Sequence, residues 1–121
     1  MLLVDDHQVM RHGLAVLLGG EADIQVVGEA TDGESGIAMA AELRPDVVLM
    51  DISMPGLSGI EATRLIRRAY PRIAVIVLSM HEAADVAERA RQAGAVDYIT
   101  KNTATEVLLA AIRSAGATAS R

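Results

Sequence analysis

Residues 47–50 read Val-Val-Leu-Met with no polar residue among them, and Asp51 follows at once. A strand with one face in water alternates apolar and polar side chains, so an unbroken apolar run of this length reads as a strand covered on both faces, as in a parallel sheet. Four other short apolar runs read as strands: Leu2–Val4, Ile24–Gly28, Ala74–Leu78 and Val96–Ile99. Segments of helical period separate them. Val9, Leu14, Leu17 and Leu18 form the stripe of a helix over Gln8–Leu18. Ile37, Ala40, Ala41 and Leu43 form a second, and Ile60, Leu65 and Ile66 a third. Val107, Leu108, Ala111 and Ile112 form the last. The helix expected at Ala83–Ala93 offers only alanine and valine among many charges, which predicts a helix held loosely on the sheet.

The order is strand then helix, five times over. Right-handed crossovers turn that order into one five-stranded parallel sheet with helices on both faces. Strand order 2-1-3-4-5, the flavodoxin-like (βα)5 arrangement, is the expectation, with ligands bound beyond the carboxyl ends of strands 1 and 3. Gly19-Gly20, Asp32-Gly33, Arg44-Pro45, Pro55-Gly56, Tyr70-Pro71 and Ala93-Gly94 punctuate the elements. One domain over residues 1–114 follows, with residues 115–121, small and polar, read as the start of a linker.

Composition narrows the chemistry. With no Cys, Phe or Trp, the core must be aliphatic and neither disulfides nor thiolate metal sites are possible. Net charge is −5 and the one basic cluster is Arg64, Arg67 and Arg68, which argues against direct nucleic-acid binding. No apolar run approaches the ~20 residues of a membrane span. The opening Met-Leu-Leu-Val-Asp-Asp lacks the basic start of a signal peptide, so a cytoplasmic home is expected.

In the 2-1-3-4-5 order the ends of strands 1 and 3 are neighbours, so Asp5, Asp6 and Asp51 should meet in one pocket. A single Asp there is more often a solvated loop residue or a helix cap, and Asp6 suits the cap of the helix that follows. Three carboxylates together repel unless a proton or a cation joins them. Oxygen ligands alone point to Mg²⁺. The three histidines, His7, His12 and His81, are too scattered for a metal triad, although His81 can border the pocket. Ser79 ends strand 4 and Lys101 follows strand 5, on the same rim. Alone, each is an ordinary strand-end hydroxyl or surface charge. A hydroxyl and an ammonium facing carboxylates and Mg²⁺ suit a phosphoryl group carried on a carboxylate.

Asp5-Asp6, Asp51, Ser79 and Lys101, with the stretches VDDHQVMRHGL, PDVVLMDISMPGLSGIEA, VLSMH and GAVDYITK, resemble the response-regulator receiver family along essentially the whole chain. The stretches look most like the branch with LuxR-type helix-turn-helix output domains. The resemblance implies that Asp51 is the phosphoacceptor, Asp6 a direct Mg²⁺ ligand, Asp5 a largely water-mediated one, and the Ser53 backbone carbonyl a further ligand. It also implies Ser79 and Tyr98 as a switch pair, with Tyr98 turning in from an exposed position. The implied function is a two-component signalling switch that promotes its own phosphorylation and dephosphorylation and is not otherwise an enzyme. Its implied partners are a sensor histidine kinase, a second copy upon phosphorylation, and an attached output domain. Where many receivers place a proline after the lysine, this chain has Asn102.

Three other functions fit the architecture less well. Flavin binding needs a hydroxyl-rich loop after strand 1 and usually aromatics, and the chain offers Asp-Asp-His and neither Phe nor Trp. Asp-nucleophile phosphatases typically carry a second acid two residues after the nucleophile, where this chain has Ser53. A degenerate receiver would lack part of the acidic set, which is complete.

Overall fold

A computed structural model describes residues 1–52, 56–80 and 83–119. Ten elements alternate: β1 (Leu2–Val4), α1 (Gln8–Gly19), β2 (Gly28–Ala30), α2 (Gly33–Leu43), β3 (Val47–Asp51), α3 (Gly59–Ala69), β4 (Ala74–Ser79), α4 (Ala84–Gln92), β5 (Asp97–Thr100) and α5 (Thr105–Ala119). The five strands are parallel and lie in the order β2-β1-β3-β4-β5.

Successive side chains of a strand point to opposite faces, and both faces here are covered. Val48 and Met50 of β3, with Val75 and Val77 of β4, pack against Ala40 of α2, Ala62 and Ile66 of α3 and Ala90 of α4. Val47 and Leu49, with Ile76 and Leu78, pack against Leu18 of α1 and Leu108 and Ile112 of α5. Every residue of β3 and β4 is buried, which is why neither strand alternates in sequence. Ala87 and Ala90 are the buried residues of α4, so its contact with the sheet is made through methyl groups.

Three expectations about the elements need correction. The ladder of β2 begins at Gly28, not Ile24. Ile24 and Val26 pack beside α1 and α5, while the edge residues Gly28–Ala30 pair with Leu2–Val4. A Cβ at Gly28 would lie 2.7 Å from Met39 and 2.8 Å from Leu43, so the glycine lets α2 close over this edge. Next, Val9 is 88% exposed and Leu17 40%, as are Val107 at 54% and Leu65 at 38%. At 100° per residue Val9 stands about 140° round α1 from Leu14, off the face that Leu14, Ala15 and Leu18 present to the sheet. Finally, α5 does not end near Ser114 but continues through Ala119. Ala115 is buried against the same cluster as Val47, and an alanine-rich tail costs a helix little. Among the described residues, no helix is long and apolar enough to cross a membrane.

Side-chain caps fix two helix starts that approach the sheet's carboxyl edge. Asp32 accepts from the Ser35 N–H at 2.7 Å ahead of α2. Ser58 accepts from the Glu61 N–H at 3.2 Å ahead of α3, three residues apart as in a capping box.

Candidate functional site

The pairing of Val4 with Met50 brings the residue after β1, Asp5, beside the last residue of β3, Asp51. Both carboxylates are buried, with 3% and 1% of their residue surface exposed. Lys101 reaches between them, its Nζ 3.1 Å from Asp5 Oδ2 and 3.1 Å from Asp51 Oδ1. The lysine is placed by β5 and by its own backbone, whose N–H donates to the Ser79 carbonyl at 2.7 Å. Thr100 and Thr103, linked hydroxyl to hydroxyl at 2.9 Å, brace the turn around it.

Asp5 is held on every side. Its N–H donates to the Ala30 carbonyl at 3.0 Å. Its own carbonyl accepts from Arg11 Nη1 at 2.7 Å, and Arg11 Nε donates to Glu29 at 3.1 Å. Its carboxylate accepts from the His7 N–H at 2.9 Å. Burial pushes this carboxyl up, but the His7 N–H and the Lys101 ammonium together outweigh it and hold the group below its ordinary range.

Asp6 and His7 complete the cluster. His7 Nδ1 lies 3.1 Å from Asp5 Oδ1, 3.2 Å from Asp6 Oδ1 and 3.7 Å from Asp51 Oδ2. One ligand atom from each of Asp5, Asp6, His7 and Asp51 falls within 4.8 Å of all the others. One ammonium against three carboxylates leaves the pocket negative. Carboxylate oxygens that converge at this spacing fit a hard divalent cation such as Mg²⁺. The Ser53 carbonyl, expected among its ligands, lies outside the described residues, as does His81.

Ser79, the last residue of β4, is buried, and it follows Leu78, the register partner of Asp51. Tyr98 pairs with Val77, two residues before Ser79, so Ser79 and Tyr98 share the face covered by α3 and α4. Tyr98 is not in an exposed position: it is half-buried and already packed against the Val75–Val77 cluster. Asp6 is not the cap of α1 either. That position belongs to His7, which makes no side-chain capping bond because its ring turns to the acids instead.

The sequence reading placed Asp5, Asp6, Asp51, Ser79 and Lys101 on one rim, and the structure brings all five to the carboxyl edge of the sheet. It missed His7 and Arg11. Their signals were present: His7 directly continues the acidic pair, and Arg11 lies one helical turn beyond it, facing the β2 edge. Asp23 belongs elsewhere, paired at 2.7 Å with Arg113, whose hydrogen bonds hold its carboxyl low. Beside the pocket an apolar groove of about 650 Å³ runs along α1, lined by Val9, Met10, Leu14, Leu17 and Met80 and bordered by His7 and Lys101.

Comparisons with known proteins place these features in a family. A family model described as the response regulator receiver domain matches residues 1–113. Response regulator GacA of Pseudomonas aeruginosa is 45% identical over 113 residues, 93% of this chain and 53% of that protein. The transcriptional regulatory protein LiaR of Bacillus subtilis is 44% identical over 115 residues, 95% of this chain and 54% of that protein. The chain thus spans about half the length of the curated relatives it matches. Among solved structures, a LuxR-family two-component response regulator from Aurantimonas sp. SI85-9A1 superposes with a TM-score of 0.91 at 37% identity, covering 96% of this chain and 83% of that one.

Proposed function

Because the chain belongs to the response regulator receiver domain family, we propose that it is a phosphorylation switch whose Asp51 takes a phosphoryl group from a sensor histidine kinase. The observation that carries this reading is the buried Asp51–Lys101 pair at 3.1 Å, at the meeting point of Asp5, Asp6 and His7.

The chain's own residues supply most of the step. An Asp51 carboxylate oxygen attacks the phosphorus, the bond from phosphorus to the donor's histidine nitrogen breaks, and the electron pair leaves with that imidazole. Asp5 and Asp6, with Asp51 and the carbonyl of Ser53, would hold Mg²⁺, which when bound offsets charge on the phosphoryl oxygens. Lys101 is placed to contact a phosphoryl oxygen once Asp51 is esterified, leaving Asp5 as its remaining carboxylate partner. In this reading the hydroxyl of the buried Ser79 donates to another. Drawing Ser79 inward would let Tyr98 settle deeper on the face it already touches and shift α4, whose buried residues are the alanines Ala87 and Ala90. A change from 1:99 to 99:1 between two such states takes about 5.5 kcal/mol of differential interaction, a scale that charge-assisted hydrogen bonds approach.

In this reading the domain promotes its own phosphorylation and the hydrolysis of its aspartyl phosphate, and catalyses nothing else. The apolar groove on α1, with Val9 and Met80 exposed beside the pocket, suits a protein phosphodonor. The whole protein would dimerise when phosphorylated and act in the cytoplasm as a DNA-binding transcription regulator, the receiver itself leaving nucleic acid alone. Acetyl phosphate with Mg²⁺ should add one phosphoryl group per chain by mass spectrometry. Equal labelling in the presence of excess chelator would remove the metal from the proposal.

A further inference from the structure

We propose that His7 Nδ1 is a direct ligand of the pocket's cation, and that it makes the site prefer a late transition-metal ion, with Co²⁺ as probe, over Mg²⁺. The inference rests on the reading of Asp5, Asp6 and Asp51 as a cation site.

Its ground is the position of one nitrogen. Ligands about 2.1 Å from a shared octahedral ion lie about 3 Å from their neighbours. His7 Nδ1 stands 3.1 Å from Asp5 Oδ1 and 3.2 Å from Asp6 Oδ1, the spacing of adjacent ligands, and 3.7 Å from Asp51 Oδ2. The backbone that carries the ring is held at both ends. The His7 N–H is bound to the same Asp5 oxygen at 2.9 Å, and its carbonyl accepts from the Arg11 N–H at 2.9 Å in the first turn of α1. Both ends of the residue are therefore fixed, while the side chain stays 59% exposed, leaving an ion a way in from solvent.

The neutral tautomer of His7 with its proton on Nε2 would turn a lone pair on Nδ1 toward the carboxylates. Carboxylates suit Mg²⁺, whereas an imidazole nitrogen adds affinity for ions higher in the Irving–Williams order. One nitrogen beside the carboxylate oxygens would make a site that accepts Mg²⁺ but rewards Co²⁺.

The test is calorimetric titration of the whole chain with Mg²⁺ and with Co²⁺, in wild type, His7→Ala, His7→Gln and, as control, His12→Ala, an exposed histidine on the same helix. Wild type and His12→Ala should bind Co²⁺ more tightly than Mg²⁺. Both His7 variants should lose Co²⁺ affinity on the order of 10- to 100-fold or more, and lose less for Mg²⁺. Proton NMR of the Co²⁺ form should show a paramagnetically shifted imidazole N–H that is absent in His7→Ala. Equal Co²⁺ affinity in wild type and the His7 variants, equal losses for both metals, or tighter binding without the ring would each overturn the proposal. Phosphoryl uptake by the wild-type chain in Mg²⁺, measured on the same preparation, reports separately on the phosphoacceptor reading.

Discussion

Lys101 Nζ lies 3.1 Å from Asp51 Oδ1, with the lysine side chain only 3% exposed. It is the chain's one lysine beside ten arginines. An ammonium is a compact point charge on a flexible stem and fits between two buried carboxylates, whereas a guanidinium is a broad planar fork that needs room and a bidentate partner. Lys101→Arg should therefore still take phosphate on Asp51 but respond less, read as phosphorylation-dependent dimerisation or a change in Tyr98 fluorescence. A variant that responds like wild type would show that position 101 needs only a positive charge.

Asp6 and Asp23 are both acids near chain turns, yet only Asp6 joins the pocket, while Asp23 is engaged by Arg113. Asp6→Ala should weaken Mg²⁺ binding by at least about tenfold, as loss of even an outer-shell partner does. Asp23→Ala should leave it unchanged. Titration calorimetry with equal affinities for the two variants would take Asp6 out of the site.

Gly59 opens α3 directly on the backbone of Asp51, the proposed phosphoacceptor. A Cβ there would fall 2.1 Å from the Asp51 carbonyl oxygen and 2.8 Å from Ile52 Cα, neither of which belongs to a flexible side chain. Gly59→Ala should destabilise the fold by about 1–3 kcal/mol, the usual range of overpacking, and slow phosphoryl uptake because β3 must move. Urea denaturation and acetyl phosphate labelling read the two effects. An unchanged midpoint would mean that α3 docks less tightly than the structure shows.

Asp32 caps α2, and the Ser35 hydroxyl and N–H hold its carboxyl below the ordinary value. A carboxyl depressed on folding contributes stability that is present above its unfolded pKa, about 3.9, and is lost as pH falls through the folded value. Asp32→Asn keeps an oxygen for the Ser35 N–H but does not titrate. Its melting temperature should fall less than that of wild type when pH is lowered through the region below about 4. Parallel acid limbs in the two proteins would contradict this.

Much of this architecture was legible because β3 and β4 are apolar on both faces and Pro or Gly marks most connections. The acids, Ser79 and Lys101 could be placed because they directly follow strands whose order the crossover rules constrain. Where the reading failed, side-chain direction or pairing decided. Ile24–Gly28 looks like a strand, but the ladder is set by which backbone meets Leu2–Val4, and only Gly28 of that run belongs to it. Val9 and Leu17 fit a helical stripe in spacing, yet the sheet accepts only the arc of Leu14 and Leu18. The tail after Ser114 reads as linker by size and polarity, while Ala115 finds a buried site that sequence alone does not reveal. His7 reads in sequence as one of three scattered histidines, and its adjacency to Asp5-Asp6 is the informative relation.

Asp51, and no other carboxylate of the pocket, is proposed to receive the phosphoryl group. Intact-mass spectrometry after incubation with acetyl phosphate and Mg²⁺ tests it most directly, run on wild type, Asp51→Asn and Asp6→Asn. One added phosphoryl group is expected on wild type, none on Asp51→Asn, and slower but still single labelling on Asp6→Asn. Labelling of Asp51→Asn to the wild-type extent would contradict it.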